Sequence, residues 1–285
     1  MKIQTERLSA MLLAAVMLAS GCAPQLPAAE SGQTETVTES LTETVTPVYG
    51  SRLRDGVYPV NVDSSSAMFR ITACDLTVED GVMSAVMTMG GTGYLKLYMG
   101  TGGEALGAAE AEFIPYTEEV QGIHTFEVPV AALDMEIDCS AFSKNKETWY
   151  DRTLVFRSDS LPAAAFAKGE LTTAESLQLE DGRYTVAVTL EGGSGRAGVE
   201  SPAVLAVADG KVFATIIWSS ANYDYMKVND EKFEMINTEG NSTFEIPVSS
   251  FDRRLPAAAN TIAMSQPYEI EYTLTFHSAS LEKVE

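Results

Sequence analysis

Large apolar residues in this chain fall on every second position over short windows, the period of a pleated strand with one face buried and the other wet. In the stretch 267–276, PYEIEYTLTF, residues Tyr268, Ile270, Tyr272, Leu274 and Phe276 share one side. Glu269, Glu271, Thr273 and Thr275 share the other, with His277 continuing it. The tyrosine side is either core or the wall of a binding site. The runs 74–89 and 204–218 alternate in the same way, and each is interrupted by an Asp-Gly pair (Asp80-Gly81, Asp209-Gly210), which is hairpin-turn chemistry. No convincing amphipathic-helix pattern accompanies these strands.

The strand pattern occurs twice. DGVYPVNV at 55–62 is answered by DGRYTVAV at 181–188, and CDLTVEDGVMSAVMTM at 74–89 by VLAVADGKVFATIIW at 204–218. TFEVPVAALD at 125–134 is answered by TFEIPVSSFD at 243–252, and RTLVFRSDSL at 152–161 by YTLTFHSASL at 272–281. Four matched blocks in one order define a duplicated unit of about 105 residues. With about six to eight short strands per copy, the expected fold is all-β: two tandem immunoglobulin-like antiparallel β-sandwich modules. The expected limits are 53–161 for the first repeat and 181–285 for the second, joined by an Ala-rich, charged linker, 162–180, that is expected to be briefly helical at most. The copies differ in two ways. Repeat 1 carries the long insert GTGGEALGAAEAEFIPYTEE (100–119) against VNDEKFEMINTEG (228–240), and Thr148 and Arg152 stand where repeat 2 has Tyr268 and Tyr272.

What precedes the repeats reads as targeting. Lys2 and Arg7, the apolar run MLLAAVMLAS and the ending LASGC make residues 1–22 look like a lipoprotein signal peptide, with Cys22 as the lipidated residue. Residues 23–52, rich in Thr, Glu, Ser and Pro, read as a disordered acidic tether. The expected location is therefore extracytoplasmic, lipid-anchored to a bacterial membrane. The formal charge of -21, from 40 acidic and 19 basic residues, argues against nucleic acid or an anionic membrane surface as partner. Cys74 and Cys139 remain, and in an exported protein they are either a disulfide or two buried thiols.

Catalytic chemistry is poorly supplied. Only two histidines are present, His124 and His277, with no nucleotide-binding glycine loop and no zinc-binding HExxH, so the expected function is binding rather than catalysis. A phenolate oxygen, in contrast, is a hard ligand for ferric iron and a known axial ligand of haem. A lipoprotein tether, small all-β modules opening on DGxYxV, a central DG hairpin and Y-x-x-x-Y on the last long strand together resemble the NEAT (near-iron-transporter) haem-binding family. The resemblance implies that Tyr268 ligates haem iron and that Tyr272 hydrogen-bonds it. It also implies propionate contacts from Ser194, Arg196 or Ser201, with the SSSAM segment, Ser66 and Met68 included, in the corresponding place of repeat 1.

Other aromatics and methionines fit either a flat ligand or the core: Trp218, Tyr223, Tyr225 and Met226 in repeat 2, Tyr94 and Tyr98 in repeat 1, and Met264 just before Tyr268. Lys144, Lys146, Trp149 and Arg152 gather cations and aromatics at a ligand or partner face of repeat 1. The overall expectation is a surface-anchored lipoprotein that captures haem, or another flat hydrophobic small molecule, for an ABC import system or another surface protein. The alternatives are a carbohydrate-binding or adhesive surface protein, whose Trp and Tyr stack on sugars, and a structural protein-interaction module.

Overall fold

The computed structural model describes residues 46–229, 231–264 and 266–284. Cys22, the signal segment and most of the expected tether lie outside these residues. The described chain is all-β, with antiparallel sheets throughout.

The first module contains β1 (Gly56–Pro59), β2 (Asn61–Ser64), β3 (Ile71–Glu79), β4 (Val82–Met89), β5 (Tyr94–Tyr98), β6 (Ile114–Pro115), β7 (Thr117–Glu118), β8 (His124–Pro129), β9 (Ile137–Ser143) and β10 (Trp149–Arg157). They form two sheets, ordered β1-β3-β4-β8-β7 and β2-β10-β9-β5-β6. One core, including Leu76 and Met87 from the first sheet and Ala141, Leu154 and Phe156 from the second, is buried by both.

The second module contains β11 (Gly182–Gly192), β12 (Ala203–Ala208), β13 (Lys211–Ile217), β14 (Tyr223–Val228), β15 (Glu231–Glu234), β16 (Thr243–Pro247), β17 (Arg254–Thr261) and β18 (Tyr268–Val284). The strands pair in the same order as in the first module, but as one sheet, β15-β14-β17-β18-β11-β12-β13-β16, which curls into a nearly closed barrel. This departs from the two separate sheets expected of a sandwich, and the first strand explains it. In the first module β1 pairs with β3 and β2 with β10, and the break falls at Pro59 and Val60. Proline has no N–H to carry a ladder onward. Thr185 stands at that position in the second module, and β11 runs unbroken, pairing with both β12 and β18.

The matched blocks turn out to be frame-closing devices. Asp55 accepts the Asp80 N–H of the β3–β4 turn (3.0 Å), and Asp181 accepts the Asp209 N–H in the same way (3.0 Å). Tyr58 and Tyr184 each donate to the backbone carbonyl four residues earlier, of Arg54 and Glu180. Asp134 accepts from the Ser158 backbone and hydroxyl, and Asp252 does the same with Ser278. Each of these pairs satisfies a backbone group at a strand end that would otherwise need water.

Both expected spacers are packed in part. Val48 bridges to Leu133 and is buried, so the last residues of the segment read as tether belong to the first module. In the linker, Phe166 bridges to Leu53 and Thr172 to Phe251, while Ala165 and Ala174 are buried in the first and second cores respectively. Arg253 reaches from the second module to the first, donating to the carbonyls of Leu161 (3.0 Å) and Ser158, with its guanidinium 4.4 Å from the Phe166 ring centre. Arg254 faces Asp159 beside it (3.4 Å).

The insert of repeat 1 forms a one-turn helix, α1 (Gly102–Ala105), closed by a capping box between Thr101 and Glu104. It docks on the outer face of β9 and β10, where Asp151 accepts from the Gly102 N–H (2.5 Å) and the Ser140 hydroxyl (2.7 Å). These two donors hold the Asp151 carboxyl below its usual range, the Ser140 hydroxyl contributing most.

Candidate functional site

The tyrosine face of β18 runs from solvent into the core. Tyr268 pairs with Thr261 at the base of the β17–β18 turn and is 48 % exposed, beside Ile262 and Met264, also exposed. Ile270 is half-buried, Tyr272 is buried, and Leu274 and Phe276 are fully enclosed. One strand face is thus site at its first residue and core from its fifth.

Tyr272 is held from three sides. Its hydroxyl lies 3.1 Å from that of Tyr223, and its ring meets Trp218 edge-on at 5.0 Å. Trp218 in turn packs at 4.2 Å on Tyr223. Gly193 closes the third side: it sits at φ 56°, and a Cβ there would come within 2.7 Å of the Tyr272 ring. Burial, and then the hydrogen bond to Tyr223, push the Tyr272 phenol well above the usual tyrosine range, with Tyr268 near enough to push it the same way.

The loop containing Gly193 carries Ser194 and Arg196, both exposed. Further along it, Ser201 accepts the Val188 N–H (2.9 Å), so its hydroxyl fastens the loop to β11. The structure therefore brings Tyr272 and Tyr223 together, sets Gly193 of the Ser194 and Arg196 loop against Tyr272, and leaves Tyr268 and Met264 exposed at the adjoining turn.

Three expected site residues are elsewhere. Trp218 and Met226 are fully buried, and the indole N–H points at the Met226 sulfur (3.3 Å). Neither can touch a ligand. Tyr225 lies on the opposite face, donating to Glu269 (2.8 Å), which also pairs with Lys227 (2.5 Å). The cause is an irregularity between Tyr223 and Tyr225, which leaves Asp224 as the extra residue. Tyr223 and Met226 consequently both point inward, and Tyr225 out. Gly193, which opens the expected propionate-side segment, lies against Tyr272, and Ile262 is the exposed apolar residue at this end that the sequence did not single out.

The equivalent end of the first module is built alike with different chemistry. β5 has the same irregularity after Tyr94, so Tyr94 occupies the place of Tyr223, and Arg152 that of Tyr272. Arg152 donates to the Tyr94 hydroxyl (3.3 Å) and to the Asp151 carbonyl (2.6 Å). Phe69 packs on Tyr94 at 5.3 Å. The serine-rich loop is tied to β10 through Ser65 and Thr153, leaving Ser66 half-buried and Met68 84 % exposed. Lys144 and Lys146 are exposed in the β9–β10 turn. Trp149 and Tyr98 are not part of this end: Trp149, Phe113 and Phe142 surround the Lys96 ammonium, which lies 3.9 Å from the Phe113 ring centre, and Tyr98 packs on Phe113.

The disulfide left open by the sequence is not formed. Cys74 on β3 and Cys139 on β9 are free thiols, buried in opposite sheets of the first module. Burial pushes both up to about 12 from 9.0.

Among the described residues no cluster of three or more His, Cys, Asp or Glu side chains is placed to hold a metal ion. A groove of about 380 Å³ lies between the linker and the β12–β13 turn, lined by Thr173, Lys211, Phe213 and Pro247, away from the tyrosine pair. No family model matches the chain, and no curated protein matches it.

Proposed function

We propose that the protein is a lipid-anchored extracytoplasmic binder that captures haem at the hairpin end of its second module, with Tyr268 as the iron ligand. The observation that carries this reading is the half-exposed phenol of Tyr268 at the turn that carries the exposed Ile262 and Met264, on the same strand face as Tyr272 of the buried Tyr272–Tyr223 pair. Haem supplies a ferric iron when bound, and a phenolate is a hard donor suited to it. Ile262 and Met264 offer apolar contact to a flat ring, and Arg196 is the exposed cation of the adjoining loop for a propionate. The hydroxyl of Tyr272 is engaged by Tyr223 and not, as the resemblance implied, by Tyr268, so its influence on the Tyr268 ligand would be electrostatic. On this reading the modules are immunoglobulin-like relatives of the near-iron-transporter modules, and cargo passes to an ABC import system or another surface protein.

Sugar stacking has less support, because Trp218 is buried and Trp149 is half-buried among Phe113, Phe142 and Lys96. Titration with haemin tests the proposal. Saturable binding with one haemin per chain and a Soret shift is expected, and Tyr268→Phe is expected to abolish the shift while leaving the melting temperature unchanged. Absence of saturable binding by the intact protein, or an unchanged spectrum in the variant, would overturn it.

A further inference from the structure

We infer that the hairpin end of the first module is a separate binding site for a small organic acid, with the carboxylate on Arg152 and an apolar body against Met68 and Tyr94. This does not depend on the haem proposal, which concerns the other module.

Arg152 carries the inference. Its side chain is half-buried, yet among the described residues no carboxylate lies within ion-pairing distance. Its Nε–H is buried without an acceptor, while its two other nitrogens are held by the Tyr94 hydroxyl and the Asp151 carbonyl. Arg253 and Arg254 also have a buried Nε, but Arg254 faces Asp159 and Arg253 reaches two carbonyls. The nearby carboxylate of Asp151 belongs to the other face, engaged by Gly102 and Ser140. The guanidinium also faces the Tyr150 ring at 5.4 Å, but it has no carboxylate paired to it directly, and a bound carboxylate would supply one, since the planar fork matches two carboxylate oxygens.

The surroundings select the rest of the ligand. Met68 is exposed in the serine-rich loop, and the half-buried ring of Tyr94, backed by the enclosed Phe69, is the one whose hydroxyl Arg152 holds, so the apolar surface at this end is that of Met68 and Tyr94. Methionine adapts its shape to irregular apolar ligands. Lys144 and Lys146 raise the local positive potential in a chain whose formal charge is -21. A multiply charged inorganic anion would use the cations and leave the apolar surface idle; a monocarboxylate with a ring or short aliphatic body uses both.

The test follows the arginine Nε–H signals of the ¹⁵N-labelled protein while sodium benzoate, sodium acetate and sodium phosphate are added at constant ionic strength, with Arg152→Lys identifying the relevant signal. A saturable shift with benzoate is expected, acetate being weaker by roughly tenfold because it lacks the ring. Met68→Ala, at an exposed position that cannot disturb the core, is expected to weaken benzoate by roughly two- to fivefold and leave acetate unchanged. No saturable shift, equal responses to all three anions, or benzoate affinity unaltered in Met68→Ala would each overturn the inference.

Discussion

Replacing Arg253 with alanine removes a side chain that, with Arg254 beside it, joins the second module to the first. Two charge-assisted hydrogen bonds, to the carbonyls of Leu161 and Ser158, are lost together with the contact of the guanidinium on Phe166. Each such bond is worth about 1.5–3 kcal/mol and the ring contact about 1 kcal/mol. Relief of the cost of burying the cation returns part of that, and water reaches the freed carbonyls, so a net loss of about 2–3 kcal/mol is expected. With a urea dependence of about 2 kcal/mol per molar for a unit of this size, the midpoint falls by about 1–1.5 M. Each module holds one of the two tryptophans, Trp149 and Trp218. In a Trp149→Phe background, fluorescence reports the second module and far-ultraviolet circular dichroism reports both. The two curves should coincide with Arg253 in place and separate in the alanine variant, and Arg253→Met should recover part of the loss by covering Phe166. Superimposable curves with a midpoint moved by less than about 0.3 M would refute the claim that this side chain couples the modules.

The duplicated aspartates give a paired test: Asp134→Ala should cost about 2 kcal/mol and Asp252→Ala about 1 kcal/mol, because Asp134 is nearly buried and Asp252 is exposed, and thermal melts that reverse the order would contradict the assignment. Cys74 and Cys139 should ignore a thiol reagent at pH 8 in the folded protein and react after denaturation; fast reaction of either in the native state would contradict their burial. Their raised values also set a pH dependence. The folded thiols hold protons that the unfolded chain releases above 9.0, so their contribution leaves stability flat below 9.0 and lowers it as pH climbs towards 12, which urea titrations at high pH would record.

The strands were legible because their signals are local: alternation, Asp-Gly turns and two copies of each block. What depended on partners was not. Pro59 and Thr185 are visible in the sequence, but their effect on sheet continuity appears only once β3 and β10, or β12 and β18, compete for the first strand. Met226 looked like a loop residue of a site because strict alternation has no place for the extra Asp224 that turns it inward, whereas Trp218 only continues the buried face of Val212, Ala214 and Ile216. Alanine-rich composition concealed how firmly the linker is packed, since Ala165 and Ala174 fill small gaps that larger side chains would not fit. The pairing of Arg152 with Tyr94 spans 58 residues, and only the alignment of the copies placed that arginine opposite a tyrosine.

The division between frame and hairpin end bears on how such a chain changes over time. Asp55, Tyr58, Asp134 and Ser158 close one frame, and Asp181, Tyr184, Asp252 and Ser278 close the other; none of them lies at the end where Arg152 or Tyr272 sits. On the proposed binding function, residues that would set ligand chemistry are therefore separate from those that hold the frame, so after duplication one copy can change its ligand end while the other keeps its own.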